Sequence, residues 1–455
     1  MNKIALRSKF TLLLAAVLCV GMVFFIGEYL VNAKDWVVFQ GSPHVYSGTS
    51  MNCGVITDRT GEVLLDATDG RNYADSALLR RATLHILGDR KGNILAPAVS
   101  EHSDQMVGFD LFNGIYSMNG KGGEATLTIS ASAQKAALEA LGDRKGTVGV
   151  YNYKTGEILC MVTSPNYDPD NVPDVEFEES EEYEGVYLNR FTQSAYTPGS
   201  IFKLATTAAA LEEFADAEDM VFHCDGAYRI GGDTVTCEGV HGDISLKTAL
   251  AQSCNCAFAQ LSEKFDPATL QAYIEKFQLT EPVEFDGIRT ASGQFDVTDA
   301  AAVNVAWAAI GQYTDLMNPC RYMTFMGCIA NGGKAAEPYL VANVSSGGIR
   351  RYKASTHQTD KALSSGSASI LAKWMRNNVE TVYGDGRFPD VAVCAKSGTA
   401  QVGGGKEPNA TFAGFVQDAD YPLAFIVVVE NGGAGASACV PIISPVLEAC
   451  MKDMD

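Results

Sequence analysis

Seventeen consecutive residues near the start of the chain, FTLLLAAVLCVGMVFFI (residues 10–26), carry no charge. The run extends to Leu30 if Glu28 lies at an interface, which makes it long enough for one membrane-spanning helix of roughly 20 residues. Lys3, Arg7 and Lys9 precede it, and basic flanks stay on the cytoplasmic side. A cleaved export signal is the alternative, with Val31-Asn32-Ala33 as a small-x-small cleavage sequence. The run exceeds the apolar segment of about 7–15 residues in such signals, which favours an uncleaved anchor. The chain therefore divides into a cytoplasmic tail (1–9), an anchor (10–32) and an exported remainder.

With 455 residues in all, that remainder is large enough to bury a substantial core. Its charge limits what it can bind. A formal net charge of −20 argues against a nucleic-acid partner, which needs a basic footprint. Twelve cysteines in an exported chain invite disulfides, although a large domain does not need them. The best pair is Cys224 and Cys237 in HCDGAYRIGGDTVTCEGVH, where the Ile-Gly-Gly-Asp turn would bring two strands together. His223 and His241 flank that pair in a zinc-like set of four, but the spacing matches no standard zinc pattern, so no metal is expected. The other cysteines sit mostly singly in apolar settings, as small hydrophobes.

Residues 33–120 are rich in turn formers and short alternating runs such as CGVITDRTGEVLLD, which reads as a small membrane-proximal module of strands and loops. From about residue 121 the pattern changes. ATLTISASAQKAALEAL runs from a strand into an amphipathic helix, and GTVGVYNYKTGEILCMVTS reads as two β-rich runs joined by a tight turn at Lys154-Thr155-Gly156-Glu157. The acidic stretch DPDNVPDVEFEESEEYEGVY (168–187) lacks the spacing of a calcium loop and reads as a solvated, mobile segment. A helix-rich part follows from Ser200 to about Leu279, with a β-containing hairpin near 222–240. VAVCAKSGTAQV, ATFAGFVQD and YPLAFIVVVE then give three strands before a short last helix. Strands at both ends around a helical middle predict an α/β fold of the α+β type, with an antiparallel sheet flanked by helices.

Three short patterns carry chemistry. In YTPGSIFKLATTAAALEEF, Pro198-Gly199 breaks the chain ahead of a strongly helical run. Ser200 then lies in the first turn and Lys203 one turn later on the same face, the arrangement a nucleophilic serine with a lysine base requires. In KTALAQSCNCAFAQL, Ser253 and Asn255 can face one cleft only if they lie in a short loop between two helices. In VAVCAKSGTAQV, strand alternation sends Lys396 and Gly398 to one face and Ser397 and Thr399 to the other. Uniting them in one site needs either a local twist or a role for backbone groups near Thr399, and Gly398 would let a substrate lie close against the strand. Each of the first two patterns arises about once by chance in a chain of this size; the order of all three is what is specific.

That order, with GVITDRTGEVLL, GEILCMVTSPNYDPDN, AAIGQYTDLMNPCRYMTFMGCIANGG and NATFAGFV, resembles the class B penicillin-binding proteins, the D,D-transpeptidases that cross-link peptidoglycan. The resemblance implies a transpeptidase domain over 121–455 with a helical subdomain. It implies Ser200 as the acylated nucleophile, Lys203 as its general base and Ser253 as a proton relay. Asn255 would hold the donor peptide's amide, and Lys396, Ser397, Gly398 and Thr399 would recognise the terminal carboxylate of D-Ala-D-Ala. The backbone amides of Ser200 and Thr399 would form the oxyanion hole. It implies no cofactor, stem peptides and β-lactams as ligands, a membrane glycan polymerase as partner, and a catalytic domain outside the membrane. A β-lactam sensor, a D,D-carboxypeptidase and a β-lactamase are the alternatives. Ser397 stands where the family usually has Thr, and Thr411 where it often has Trp. The family's Lys-Thr-Gly element is matched literally by Lys154-Thr155-Gly156 and imperfectly by Lys396-Ser397-Gly398; position in the chain favours the second.

Overall fold

A computed structural model of the protein describes residues 2–38, 46–47, 50–51, 54–68, 70–107, 109–110, 114–115, 122–173 and 181–454. The centre of the acidic stretch, 174–180, lies outside these. Its start is not free in solution, since Asp168 accepts from Arg80 at 2.6 Å across the fold.

Helix α1 (Asn2–Val38) contains the apolar run; within Lys3–Ala33 an 18-residue stretch reaches a mean hydropathy of 2.6 with none of that stretch buried in the protein, while Ala33 at its end is buried. Strands β1 (Val55–Thr57), β2 (Val63–Asp66) and β3 (Asn72–Tyr73) precede β4 (Glu124–Leu127), helix α2 (Ala131–Leu141) and the hairpin β5 (Gly146–Asn152) and β6 (Ile158–Ser164). Then come α3 (Lys203–Glu213), the short strands β7 (Val221–Cys224), β8 (Ala227–Ile230), β9 (Asp233–Thr236) and β10 (Gly242–Ser245), and helices α4 (Leu246–Ala251) and α5 (Asn255–Ser262). Helix α6 (Pro319–Ala330), strands β11 (Val341–Ser346) and β12 (Ile349–Lys353), and helix α7 (Ser365–Asn378) lead to β13 (Val393–Ala400), β14 (Asn409–Val416) and β15 (Leu423–Val429). Helix α8 (Gly435–Lys452) follows them.

The main sheet has the order β6-β5-β15-β14-β13 and is antiparallel throughout. Its strands are apolar on both faces because both are covered by helices. Along β15, Phe425, Val427 and Val429 join one core with α2 and α8, while Ala424, Ile426 and Val428 join the other with α6. The last helix is longer than expected. Pro441 and Pro445 lie inside it, yet Val440, Ile442, Ile443, Val446 and Leu447 are fully packed on the sheet, and that burial offsets the lost hydrogen bonds.

A second sheet, β12-β11-β4-β1-β2-β3, draws strands from residues 55–73, 124–127 and 341–353. The expected boundary near residue 120 thus falls inside a sheet built from both sides. Asp58 ties them further: one carboxylate oxygen accepts from the backbone of Thr60 and Glu62, and the other from the Ala131 amide at the start of α2. Short helices Ala77–Ala82, Leu84–Leu87, Pro97–Glu101 and Ser103–Val107 fill what read as loops, because Leu79, Leu84, Ile86 and Met106 are all buried.

Candidate active site

Ser200 lies in a 3₁₀ turn, Gly199–Phe202, that runs straight into α3. Four contacts hold this turn. The Thr411 hydroxyl donates to Pro198 O at 3.1 Å, the Gly199 amide to Gly311 O at 2.9 Å, and the Tyr322 hydroxyl to Ile201 O at 2.6 Å. The fourth is steric. A Cβ on Gly398 of β13 would lie 2.2 Å from Thr411 Oγ1, 2.9 Å from Pro198 O and 3.0 Å from the Ile201 amide. What lies close against Gly398 is therefore the turn that carries Ser200, not open space for a substrate, and this corrects the expectation for that residue.

Lys203 is fully buried, with its Nζ 2.9 Å from Ser200 Oγ, 2.9 Å from Ser253 O and 2.7 Å from Asn255 Oδ1. The Asn255 orientation follows from its other end, where Nδ2 donates to Thr236 O at 2.9 Å. Two obligate acceptors, a carbonyl and an amide oxygen, therefore face the lysine. A neutral amine has two N–H bonds for them and one lone pair left for the serine hydroxyl. Burial, and then the nearby Lys396 ammonium, push the Lys203 pKa down to about 7, which makes that neutral form accessible.

Ser253 and Asn255 do lie in a short connection between two helices, α4 and α5, as alternation on a helix required. Ser253 has φ 56°, a left-handed conformation that is strained for a serine and turns its hydroxyl inward. That hydroxyl is 3.2 Å from both Lys203 Nζ and Lys396 Nζ.

Strand β13 pairs with β14 from Val393 to Ala400 without a register shift, so no bulge reunites Lys396 with Thr399. The split is resolved by side-chain length. Lys396 is fully buried and extends its stem to Ser253 Oγ, while Ser397 and Thr399 line a cleft of ≈ 500 Å³ together with Ser200, Ser253 and Asn255. Burial lowers the Lys396 pKa to about 7 as well. The Ser397 amide donates to the Tyr383 hydroxyl at 2.9 Å. Tyr383 and Thr236 support the site and were not evident in the sequence, and Thr411, noted there only as a departure from the family, supports it too, since each meets its partner only through the tertiary fold.

Lys154-Thr155-Gly156 forms the turn between β5 and β6. Asn152 Oδ1 accepts from the Lys154 and Thr155 amides, and Gly156 has φ 94°. The β5–β6 hairpin is at the opposite edge of the sheet from β13. The literal motif is a hairpin turn, and the imperfect one lies beside the serine.

Cys224 and Cys237 are free thiols, so the expected bridge is not formed. Cys224 ends β7, which pairs with β10 rather than with the strand before Cys237. His223, also expected near them, points outward to Asp225 and Asp243 because β7 alternates.

The family described as the penicillin binding protein transpeptidase domain matches residues 146–448, more than half of the chain. The chain is 29% identical to the peptidoglycan D,D-transpeptidase PbpA of Mycolicibacterium smegmatis over 363 residues, covering 73% of each protein. It is 28% identical to the stage V sporulation protein D of Bacillus subtilis over 408 residues, covering 84% of this chain and 59% of that one. Among solved structures, the penicillin G acyl-enzyme complex of penicillin-binding protein A from M. tuberculosis superposes with a TM-score of 0.75 at 26% identity, covering 88% of this chain and 99% of that one. Both the match along the sequence and the shared fold place this chain in the penicillin-binding protein transpeptidase family, among its class B members.

Proposed function

We propose that the protein is a membrane-anchored peptidoglycan D,D-transpeptidase that works through an acyl-enzyme on Ser200. The observation that carries this reading is the fully buried Lys203 amine 2.9 Å from Ser200 Oγ, with two obligate acceptors occupying its N–H bonds. Ser200 Oγ attacks the carbonyl between the two D-alanines as its proton passes to Lys203 Nζ. The peptide C–N bond then breaks, and Ser253 Oγ relays a proton to the departing D-Ala amine. In the second half, an acceptor amine attacks the ester, an amide forms and Ser200 recovers its proton. Lys396 and Thr399 hold the terminal carboxylate, Asn255 binds the donor amide, and the Ser200 and Thr399 amides stabilise the oxyanion. A β-lactam enters the same path, its ring amide opening onto Ser200.

Helix α1 would hold the catalytic domain on the extracytoplasmic face. One structural neighbour, at 25% identity and a TM-score of 0.64, is a peptidoglycan synthase complex that coordinates polymerisation and cross-linking, which supports a glycan polymerase as partner here too.

Labelled penicillin should modify Ser200 alone, and Ser200→Ala should abolish labelling; persistent labelling of that variant overturns the assignment. Incubation with a D-Ala-D-Ala stem peptide and an amine acceptor should yield the new amide. Release of D-Ala without that product would indicate hydrolysis by a carboxypeptidase instead.

A further inference from the structure

Four side chains that take no part in the acyl transfer converge beside it. The ligand atoms of Cys224, Cys237, His241 and Cys254 all lie within 4.8 Å of one another. His241 Nδ1 is 3.4 Å from Cys224 Sγ and 3.7 Å from Cys237 Sγ, and the thiols of Cys237 and Cys254 are 3.8 Å apart. A disulfide needs sulfurs at about 2.05 Å, so these thiols are not cross-linked. A tetrahedral zinc ion, with Zn–S of about 2.3 Å and Zn–N of about 2.0–2.1 Å, sets S···S edges of about 3.8 Å and S···N edges of about 3.5–3.6 Å. The three separations match the edges of that tetrahedron.

The four residues come from three separate pieces of chain. Cys224 ends β7, Cys237 follows β9, His241 precedes β10, and Cys254 caps α5. Backbone bonds set them facing inward: the His241 amide donates to Cys224 O at 3.1 Å and the Cys237 amide to Gly226 O at 2.9 Å. Cys224 and Cys254 are fully buried. A set of three thiolates and one imidazole suits a borderline-soft ion and leaves no coordination position for water or substrate.

We propose that Cys224, Cys237, His241 and Cys254 bind one zinc-class dication as a closed structural site that braces the Ser253–Asn255 loop. Binding displaces the proton of each thiol that still carries one, and the imidazole binds neutral through Nδ1. The location gives the site its consequence. Cys254 is the residue between Ser253 and Asn255, so fixing its sulfur fixes the strained Ser253 backbone and the amide that faces Lys203. Thr236, which holds Asn255 from the other side, precedes Cys237. The ion would join the β7–β10 hairpins to the catalytic loop at one point.

The test uses the full chain in detergent, purified without added metal and analysed by elemental mass spectrometry. About one zinc per chain is expected, with Cys237→Ser and His241→Ala each losing most of it and Cys160→Ala, outside the cluster, keeping it. Cobalt(II) reconstitution should give the strong visible absorption of a tetrahedral thiolate site, a readout independent of how well any variant folds. Removing zinc with a chelator should slow acylation by labelled penicillin at least about tenfold, reversed by zinc, because a displacement of about 1 Å at such a site costs on that scale. Zinc below about 0.1 per chain, both as purified and after incubation with zinc under reducing conditions, would overturn the site. So would a Cys224–Cys237 disulfide in the native protein. Unchanged acylation after complete zinc loss would overturn the bracing role. The metal measurements do not depend on Ser200 being the nucleophile, so either reading can fail alone.

Discussion

If Lys203 is the general base, acylation must follow its neutral fraction. An ordinary lysine titrates at about 10.4, so at pH 7 only about 0.04% of it is neutral. Burial first and Lys396 second bring Lys203 to about 7, which makes about half of it neutral at that pH, a gain of about 10³ in competent base. Below the pKa the amine is protonated and cannot accept from Ser200, so the rate falls; above it the rate reaches a plateau. The limiting acylation rate at saturating labelled penicillin should therefore rise about tenfold from pH 6 to pH 8 and change little beyond. The second-order constant should behave differently. If Lys396 holds the substrate carboxylate it must be charged to do so, and burial brings its pKa in the free protein to about 7 as well, so that constant should pass through a narrow maximum near neutral pH. Stopped-flow fluorescence between pH 5.5 and 9 measures both. Lys203→Arg keeps the charge but cannot become neutral, and should acylate at a negligible rate at every pH. A saturating rate that is flat across this range, or that still climbs toward pH 10, would refute the assignment of the base.

Gly398→Ala would drive a methyl into Thr411 Oγ1 and the Pro198–Ile201 backbone, so it should cost about 1–3 kcal/mol in stability and slow acylation, measured by denaturant titration and penicillin labelling. Adding Thr411→Ala should recover only part of the loss, because the backbone contacts remain. Lys154→Ala, at the far edge of the sheet, should leave labelling unchanged; a loss there together with normal acylation in Lys396→Ala would reverse the two Lys-x-Gly assignments. Asp58→Ala strands the Thr60, Glu62 and Ala131 amides and should lower stability by about 2–4 kcal/mol while Ser200 still labels in the cold. A cost below about 0.5 kcal/mol would mean that residues 55–73 and the catalytic domain are not one cooperative unit.

Periodicity and order along the chain were enough to indicate the long apolar helix α1, the Ser200–Lys203 pairing on one helix face, the Ser253–Asn255 loop and the β13 strand. Each of these depends on residues a few positions apart, where helix and strand geometry fix the relation. The rest depended on contacts across the fold. Gly398 reads in the sequence as room for a substrate, whereas in the fold the turn that carries Ser200 packs on it. Lys396 and Thr399, on opposite faces of one strand, called for a local twist or a role for backbone groups near Thr399; with the strand regular, it is the reach of a buried lysine stem that brings Nζ to Ser253. Cys224 and Cys237 suggested a bridge because the sequence places them close together, and His223 and His241 flanked them in a zinc-like set whose spacing gave no reason to expect a metal. Strand alternation turns His223 outward, and the fourth member of the cluster, Cys254, arrives from the catalytic loop 17 residues beyond Cys237. Sequence alone determined which groups this protein carries and in what order. Only the tertiary structure decided which of them meet, because packing of buried side chains, not distance along the chain, sets every separation in the site.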